Sequence, residues 1–211
     1  TASGKTGVAI ALAQSVDGEV VSCDSMQIYQ GMDILSAKPT AQERAAAAHH
    51  MISLLPPSEK CTAARFRDMA LPVLEDLFVR GKQPILCGGT GLYVDAITRP
   101  RSFALEGNEE LRARLMGMER VKLHKWLREI DPQSAARLHE NDVRRVVRAL
   151  EIYLLTGRTM TEIAQEDAQR DAPFDARLFA LDWPRDVLYA RIDRRVDEMV
   201  ATGMIEEVRA L

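Results

Sequence analysis

Thr1-Ala2-Ser3-Gly4-Lys5-Thr6 opens the chain, directly ahead of the apolar stretch Gly7-Val8-Ala9-Ile10-Ala11-Leu12-Ala13. The six residues match the last six positions of G-x-x-x-x-G-K-[ST], a loop in which glycine lets backbone N–H groups close on phosphate oxygens while the helix behind it aims its positive dipole end at the same point. In that reading the loop holds a phosphate group of a ligand. Lys5 supplies a mobile cation, and the Thr6 hydroxyl can ligate Mg2+. The first glycine and its feeding strand are absent, so the sequence reads as cut inside the motif. A surface turn can also carry Gly-Lys-Thr by chance, and the assignment gains weight because a helix and then a strand follow.

Outward from the loop, residues 6–15 have helical character and Glu19 to Cys23 is a β-branched run suited to a buried parallel strand. Residues 32–39 read as loop, 41–48 as an Ala-rich helix and 63–80 as a longer amphipathic helix stopped by Gly81. Pro84 to Cys87 forms a second strand running into Gly88-Gly89-Thr90-Gly91, with a helix from Leu92. Between 99 and 170 the strand signals vanish, and helical stretches follow at 108–118, 120–130, 133–139, 142–156 and 159–166. Leu178 to Asp182 restores a strand and 185–202 a helix. The order predicts an α/β fold with a P-loop NTPase-like parallel sheet core, residues 1–98 and 171–211, truncated at both ends, and an all-helical insertion domain at 99–170.

Composition narrows the class. With 211 residues and 46% hydrophobic content the chain can bury a sizeable core, and no apolar run approaches a membrane span. Three dispersed cysteines, Cys23, Cys61 and Cys87, form no CxxC pair, which argues against a zinc site or disulfide framework and suits a cytoplasmic protein. Cys23 and Cys87 lie in apolar runs and read as core. The net charge of −3 speaks against nucleic acid as a partner, yet residues 99–158 carry 13 Lys+Arg against 9 Asp+Glu. That segment alone could face a polyanion.

Asp24-Ser25-Met26-Gln27-Ile28-Tyr29 leaves the first strand at its C-terminal end, the edge where open parallel sheets bind ligands. Asp24 is there a general base, a magnesium holder or simply a turn cap. Gly88-Gly89-Thr90-Gly91-Leu92-Tyr93 brings a hydroxyl and close backbone to the same edge, unless its glycines only serve a tight turn. His49-His50 reads as an ordinary loop pair, since adjacent side chains do not converge on a metal. Arg144, Arg145 and Arg148 cluster on one helix and can either grip phosphates or form a solvated face.

Taken in order and spacing, Thr1 to Thr6, Asp24 to Tyr29, Gly31-Met32-Asp33-Ile34, Ala37-Lys38-Pro39, His49-His50 and Gly88 to Tyr93 resemble the tRNA dimethylallyltransferase family. So do Asn141-Asp142 with Arg145 and Arg148, and Leu188-Tyr189 with Arg191-Ile192 and Arg195-Val196. The resemblance implies transfer of a dimethylallyl group from its diphosphate to N6 of the adenosine 3′-adjacent to the anticodon, with pyrophosphate released. It implies a diphosphate site at Thr1 to Thr6, Mg2+ at Thr6, and catalysis by Asp24 as base with Lys5 and Thr90. It also implies tRNA contacts at Asp24, Ser25, Met26, Gln27, Thr90, Arg112, Arg144, Arg145, Val146, Val147 and Arg148, with the helical insertion clasping the anticodon stem-loop. A monomer is expected. The chain departs from the family at Leu35-Ser36, where Gly-Thr is common, and at Arg65, where an acidic residue is common. Two alternatives stay open at this point: an ATP-dependent small-molecule kinase, which shares the phosphate loop, and a nucleotide-dependent RNA-binding module without covalent chemistry.

Overall fold

Elements follow the local chemistry closely. In the computed structural model, which describes residues 2–100, 102 and 107–211, Gly4 takes φ +85° and ends the opening loop at the start of α1 (Lys5–Ser15). Strand β1 (Gly18–Ser22) follows, then α2 (Ala41–Ala46), whose first turn is closed by a reciprocal pair: the Glu43 N–H donates to Thr40 Oγ1 and the Thr40 N–H to Glu43 Oε2. Short strand β2 (His49–His50) and long helix α3 (Ala63–Val79) come next. Gly81, at φ +70°, ends α3 by letting the chain reverse, with Lys82 N–H donating to Leu77 O at 2.8 Å. Strand β3 (Gln83–Cys87) and helix α4 (Gly91–Thr98) complete this stretch.

The three strands form one parallel sheet in the order β2-β1-β3, with Val20 opposite both His49 and Ile85. Parallel strands need covered faces, and here Val21, Cys23, Phe66, Leu74, Leu77 and Tyr93 are buried together where α3 and α4 pack. The Phe66 and Tyr93 rings stack with centroids 4.0 Å apart. Glu19, on the middle strand, accepts from Arg80 Nη1 at 2.6 Å and lies 2.6 Å from His50 Nε2. It thereby ties the end of α3 to both β1 and β2.

A second run of helices comprises α5 (Glu109–Met116), α6 (Arg120–Ile130), α7 (Pro132–Arg137), α8 (Val143–Thr156) and α9 (Met160–Ala168). Its core is Leu115, Leu123, Leu127, Val146, Val147 and Leu150. Helices α10 (Arg185–Ala201) and α11 (Met204–Ala210) end the chain. By contacts the chain divides into two compact units, Thr1–Arg99 with Phe174–Leu211, and Pro100–Pro173. No helix among the described residues is long and apolar enough to cross a membrane.

Two expectations differ from what is observed. Residues 178–182 were expected as a strand, but they run without sheet pairing, and Leu178 and Phe179 are exposed. A short apolar run marks a strand only where a ladder neighbour accepts it, and none among the described residues does. His49-His50 was expected in a loop and instead forms β2, because Val20 N–H is met by Ala48 O at 2.9 Å and the chain runs on alongside β1.

Candidate active site

The C-terminal end of the sheet opens into a cleft of about 640 Å3 whose walls include Ser3, Lys5, Thr6, Asp24, Gln27 and Arg191. Its floor begins at α1. Val8 N–H is the first in that helix to reach an intrahelical carbonyl, Gly4 O at 3.2 Å, which leaves the amides of Lys5, Thr6 and Gly7 without a partner among the described residues. Ala2 and Gly4 both take positive φ, +56° and +85°, so the loop curls over this helix end. Such a concave row of amides with a cation beside it, Lys5 Nζ, suits a diphosphate. Thr1 lies outside the described residues.

The loop is held from behind. Trp183 Nε1 donates to Ser3 O at 2.9 Å and Arg191 Nε donates to Ala2 O at 2.7 Å. The Arg191 guanidinium also lies 4.6 Å from the centre of the Trp183 ring. With Nε engaged, the remaining N–H groups of Arg191 sit beside Gly4, where an added Cβ would stand 3.5 Å from Nη2. Arg191 was read only as part of a motif and Trp183 was not singled out; a lone tryptophan after an unpaired strand-like run carries no signal of its own.

Asp24 stands where β1 ends. Its Oδ1 accepts from Met26 N–H at 2.9 Å and Gln27 N–H at 3.4 Å, an Asx turn that fixes the carboxylate, while Oδ2 has no partner among the described residues. The turn cap and the functional carboxylate are therefore compatible readings of the same side chain. Thr90 reaches across from the other strand: its Oγ1 accepts from Ser25 N–H at 3.0 Å and lies 3.2 Å from Ser25 Oγ, and Thr90 N–H donates to Cys23 O at 3.2 Å. These bonds bring Asp24, Ser25 and Thr90 to one edge. Met26 is 42% exposed and lines the cleft.

Gln27 is turned to a different task. Its amide nitrogen donates to Ala37 O at 3.1 Å and Ser36 O at 3.4 Å, and its Oε1 accepts from Ser22 Oγ at 2.8 Å. Lys38 is similarly engaged, its ammonium bound by Tyr29 O, Asp33 Oδ1 and Ser53 Oγ with only 4% of the side chain exposed. Both residues shape the wall that faces Asp24.

Among the glycines of the second loop only Gly88 is sterically required: a Cβ there would lie 2.1 Å from Cys23 O, whereas one at Gly89 or Gly91 would meet nothing within 4 Å. The space beyond Gly89 and Gly91 is open. Burial, with Cys87 and Asp24 nearby, pushes the Cys23 thiol up to about 12, and burial raises Cys87 as well, so neither is poised as a nucleophile. No group of three potential metal ligands from His, Cys, Asp and Glu occurs among the described residues. Mg2+ does not require one, since it commonly takes one or two protein oxygens and completes its shell with phosphate and water.

In the helical unit Glu151 is fully buried and organises two of the arginines read as RNA contacts. Arg112 Nη2 donates to Oε1 and Oε2 at 3.1 and 3.0 Å, Arg148 Nη1 to Oε2 at 2.7 Å, and Asn108 N–H to Oε1 at 2.8 Å. Burial raises the Glu151 carboxyl, but Arg148 and Arg112 outweigh it and hold the group below the ordinary range. Arg145 pairs with Asp142, and Arg144 is exposed with no ion-pair partner among the described residues. Val146 and Val147, expected among the RNA contacts, are each 1% exposed inside the helical core, so their side chains pack inward. A stretch of five consecutive helical residues necessarily turns some inward, and here the two valines fill that face.

Comparison with known proteins gives one consistent family. The family model described as IPP transferase matches residues 27–211. A tRNA dimethylallyltransferase of Anaeromyxobacter dehalogenans is 50% identical over 215 residues, covering all of this chain and 72% of the relative. Among solved structures, the tRNA isopentenylpyrophosphate transferase of Bacillus halodurans matches with TM-score 0.68 and 42% identity, covering all of this chain and 67% of that one. A eukaryotic dimethylallyltransferase studied acting on tRNA matches with TM-score 0.85 and 32% identity, over 99% of this chain and 52% of that one.

Proposed function

Because this chain belongs to the IPP transferase family, we propose that it transfers a dimethylallyl group from dimethylallyl diphosphate to N6 of the adenosine 3′-adjacent to the anticodon in tRNA. The observation that carries the reading is the shared cleft: Asp24, whose Oδ2 has no partner among the described residues, and Lys5 and Thr6, whose amides are open there, line the same cavity. An adenine amine is a poor nucleophile, and an allylic diphosphate needs only electrostatic help to leave. A base and a phosphate cradle are the two things the reaction asks for.

The unit Thr1–Arg99 with Phe174–Leu211 serves in this proposal as a P-loop NTPase-like core. The α1 amides, Lys5 and Arg191 bind the diphosphate. Thr6 would hold Mg2+, whose charge, when it is bound, would help neutralise the departing pyrophosphate. The N6 lone pair forms a bond to the allylic carbon as the carbon–oxygen bond to diphosphate breaks, and the amine proton passes to Asp24. Thr90 holds the Asp24–Ser25 turn in place. The target base must leave its stack to reach this edge. The helical unit Pro100–Pro173 acts as an insertion that clasps the anticodon stem-loop, with Arg112, Arg144, Arg145 and Arg148 toward phosphates. The protein works as a cytoplasmic monomer.

A P-loop kinase would use the same loop but would transfer the γ-phosphoryl of ATP, leaving no carbon on its acceptor. Replacing Asp24 with Asn tests the mechanism. Removal of the base should reduce turnover by at least about 100-fold, while the affinities for tRNA and for the diphosphate donor stay within about threefold, since Oδ1 can keep its backbone bonds. A fully active Asp24→Asn protein would exclude Asp24 as the base.

A further inference from the structure

Glu207, on α11, is held by three successive backbone amides. Asp33 and Ile34 donate to Oε2 and Leu35 donates to Oε1, each at 2.8 Å. Consecutive amides converging on one carboxylate make an anion nest. The nest lies in the loop that follows Gly31, whose φ of +73° starts the turn. Gly203, at φ +103°, makes the break between α10 and α11 that returns the chain to this loop. Helix α11 has no fully buried residue of its own, and the Glu207 carboxylate supplies three hydrogen bonds that tie it to this loop.

The loop that Glu207 grips leads straight to the cleft. Ser36 O and Ala37 O, the next carbonyls along, accept from the Gln27 side chain at 3.4 and 3.1 Å. Gln27 N–H in turn donates to Asp24 Oδ1 at 3.4 Å. A continuous run of hydrogen bonds and backbone therefore joins α11 to the carboxylate read as the base. We propose that Glu207 is a positioning residue, which fixes the Asp33–Leu35 amides and through them the wall that presents Gln27 and Asp24 to the acceptor base. The assignment rests on the transferase reading above.

The test uses the complete protein, with Glu207→Gln, which keeps the shape and removes the charge, and Glu206→Gln, the same change at the neighbouring position. Two readouts are combined: amide hydrogen exchange resolved to residues 33–37, and steady-state prenyl transfer with tRNA and donor varied separately. For Glu207→Gln, exchange at Asp33–Leu35 should rise by about tenfold, and kcat/KM for tRNA should fall by a similar factor, because charge-assisted bonds to the amides are lost. The KM for the donor should stay within about twofold, since the phosphate loop is anchored elsewhere by Trp183 and Arg191. Glu206→Gln should change neither. Unchanged exchange at 33–35, faster exchange with unaltered tRNA kinetics, or faster exchange spread over the whole sheet would each overturn the assignment, the last by showing a role in overall stability. Absence of any transfer by the wild type would instead sink the transferase reading and remove the positioning role with it; exchange at 33–35 would then report only on the nest.

Discussion

Replacing Gly88 with alanine should damage the sheet edge more than any other single methyl added to the second glycine loop. The Cβ would lie 2.1 Å from Cys23 O and 2.3 Å from Cys23 C, both rigid backbone atoms, where contacts under 3.0 Å do not occur. The ends of β1 and β3 would have to part by about 1 Å, and overpacking of that kind costs about 1–3 kcal/mol. Two bonds cross at this point, Cys23 N–H to Cys87 O at 2.8 Å and Thr90 N–H to Cys23 O at 3.2 Å. Weakening one adds about 1 kcal/mol, so the expected loss is about 3 kcal/mol. Urea unfolding followed by circular dichroism, with Gly89→Ala as the reference, measures it. An added Cβ at Gly89 meets nothing within 4 Å, and that variant should lose less than about 1 kcal/mol. Equal stability of the two variants would refute the steric account of this loop.

Acid should weaken the tie at the other end of the sheet. Glu19 is held down to about 2 against an ordinary 4.5, chiefly by its hydrogen bond to Arg80, so its contribution is present above pH 4.5 and is lost as pH falls toward 2. At about 1.4 kcal/mol per pKa unit the full difference would be about 3.5 kcal/mol, which the 38% exposure of the Arg80 side chain reduces to about 1–2 kcal/mol. Glu19→Gln should be less stable than wild type by that amount at pH 7 in urea titrations, with the gap closing across this window. In the helical unit, Arg144→Ala should weaken tRNA binding and lower the salt slope by about 0.7–0.9. Val147→Ala should instead lower stability by about 1–3 kcal/mol and leave the slope unchanged; filter binding across a salt series separates the two.

How much of this could be read from sequence depended on whether the signal was local. Gly4 ahead of α1 and Gly81 after α3 act within a few residues, and helix bounds fell within two residues of expectation for most elements. The position of Asp24 was legible because a residue directly after a β-branched run falls at the C-terminal edge of a parallel sheet. The strand expected at 178–182 failed because its pattern says nothing about whether a ladder neighbour exists. The roles of Trp183, Glu151 and Glu207 were invisible for a related reason: each acts on residues far away in the chain, Ser3, Arg112 and Asp33–Leu35. Gln27 and Lys38 sit in motif positions, yet only their hydrogen-bond partners show that they shape the wall. Val146 and Val147 show the converse, since lying inside a basic stretch did not keep them from the core.

The most direct test of the central claim is incubation of the complete protein with Mg2+, dimethylallyl diphosphate and unmodified tRNA carrying adenosine 3′-adjacent to the anticodon, followed by mass analysis of the digested nucleosides. One added C5 prenyl unit on that adenosine is expected, with a matching release of pyrophosphate. An unmodified adenosine, together with ATP consumption in the presence of small-molecule acceptors, would contradict it and favour phosphoryl transfer from the same loop.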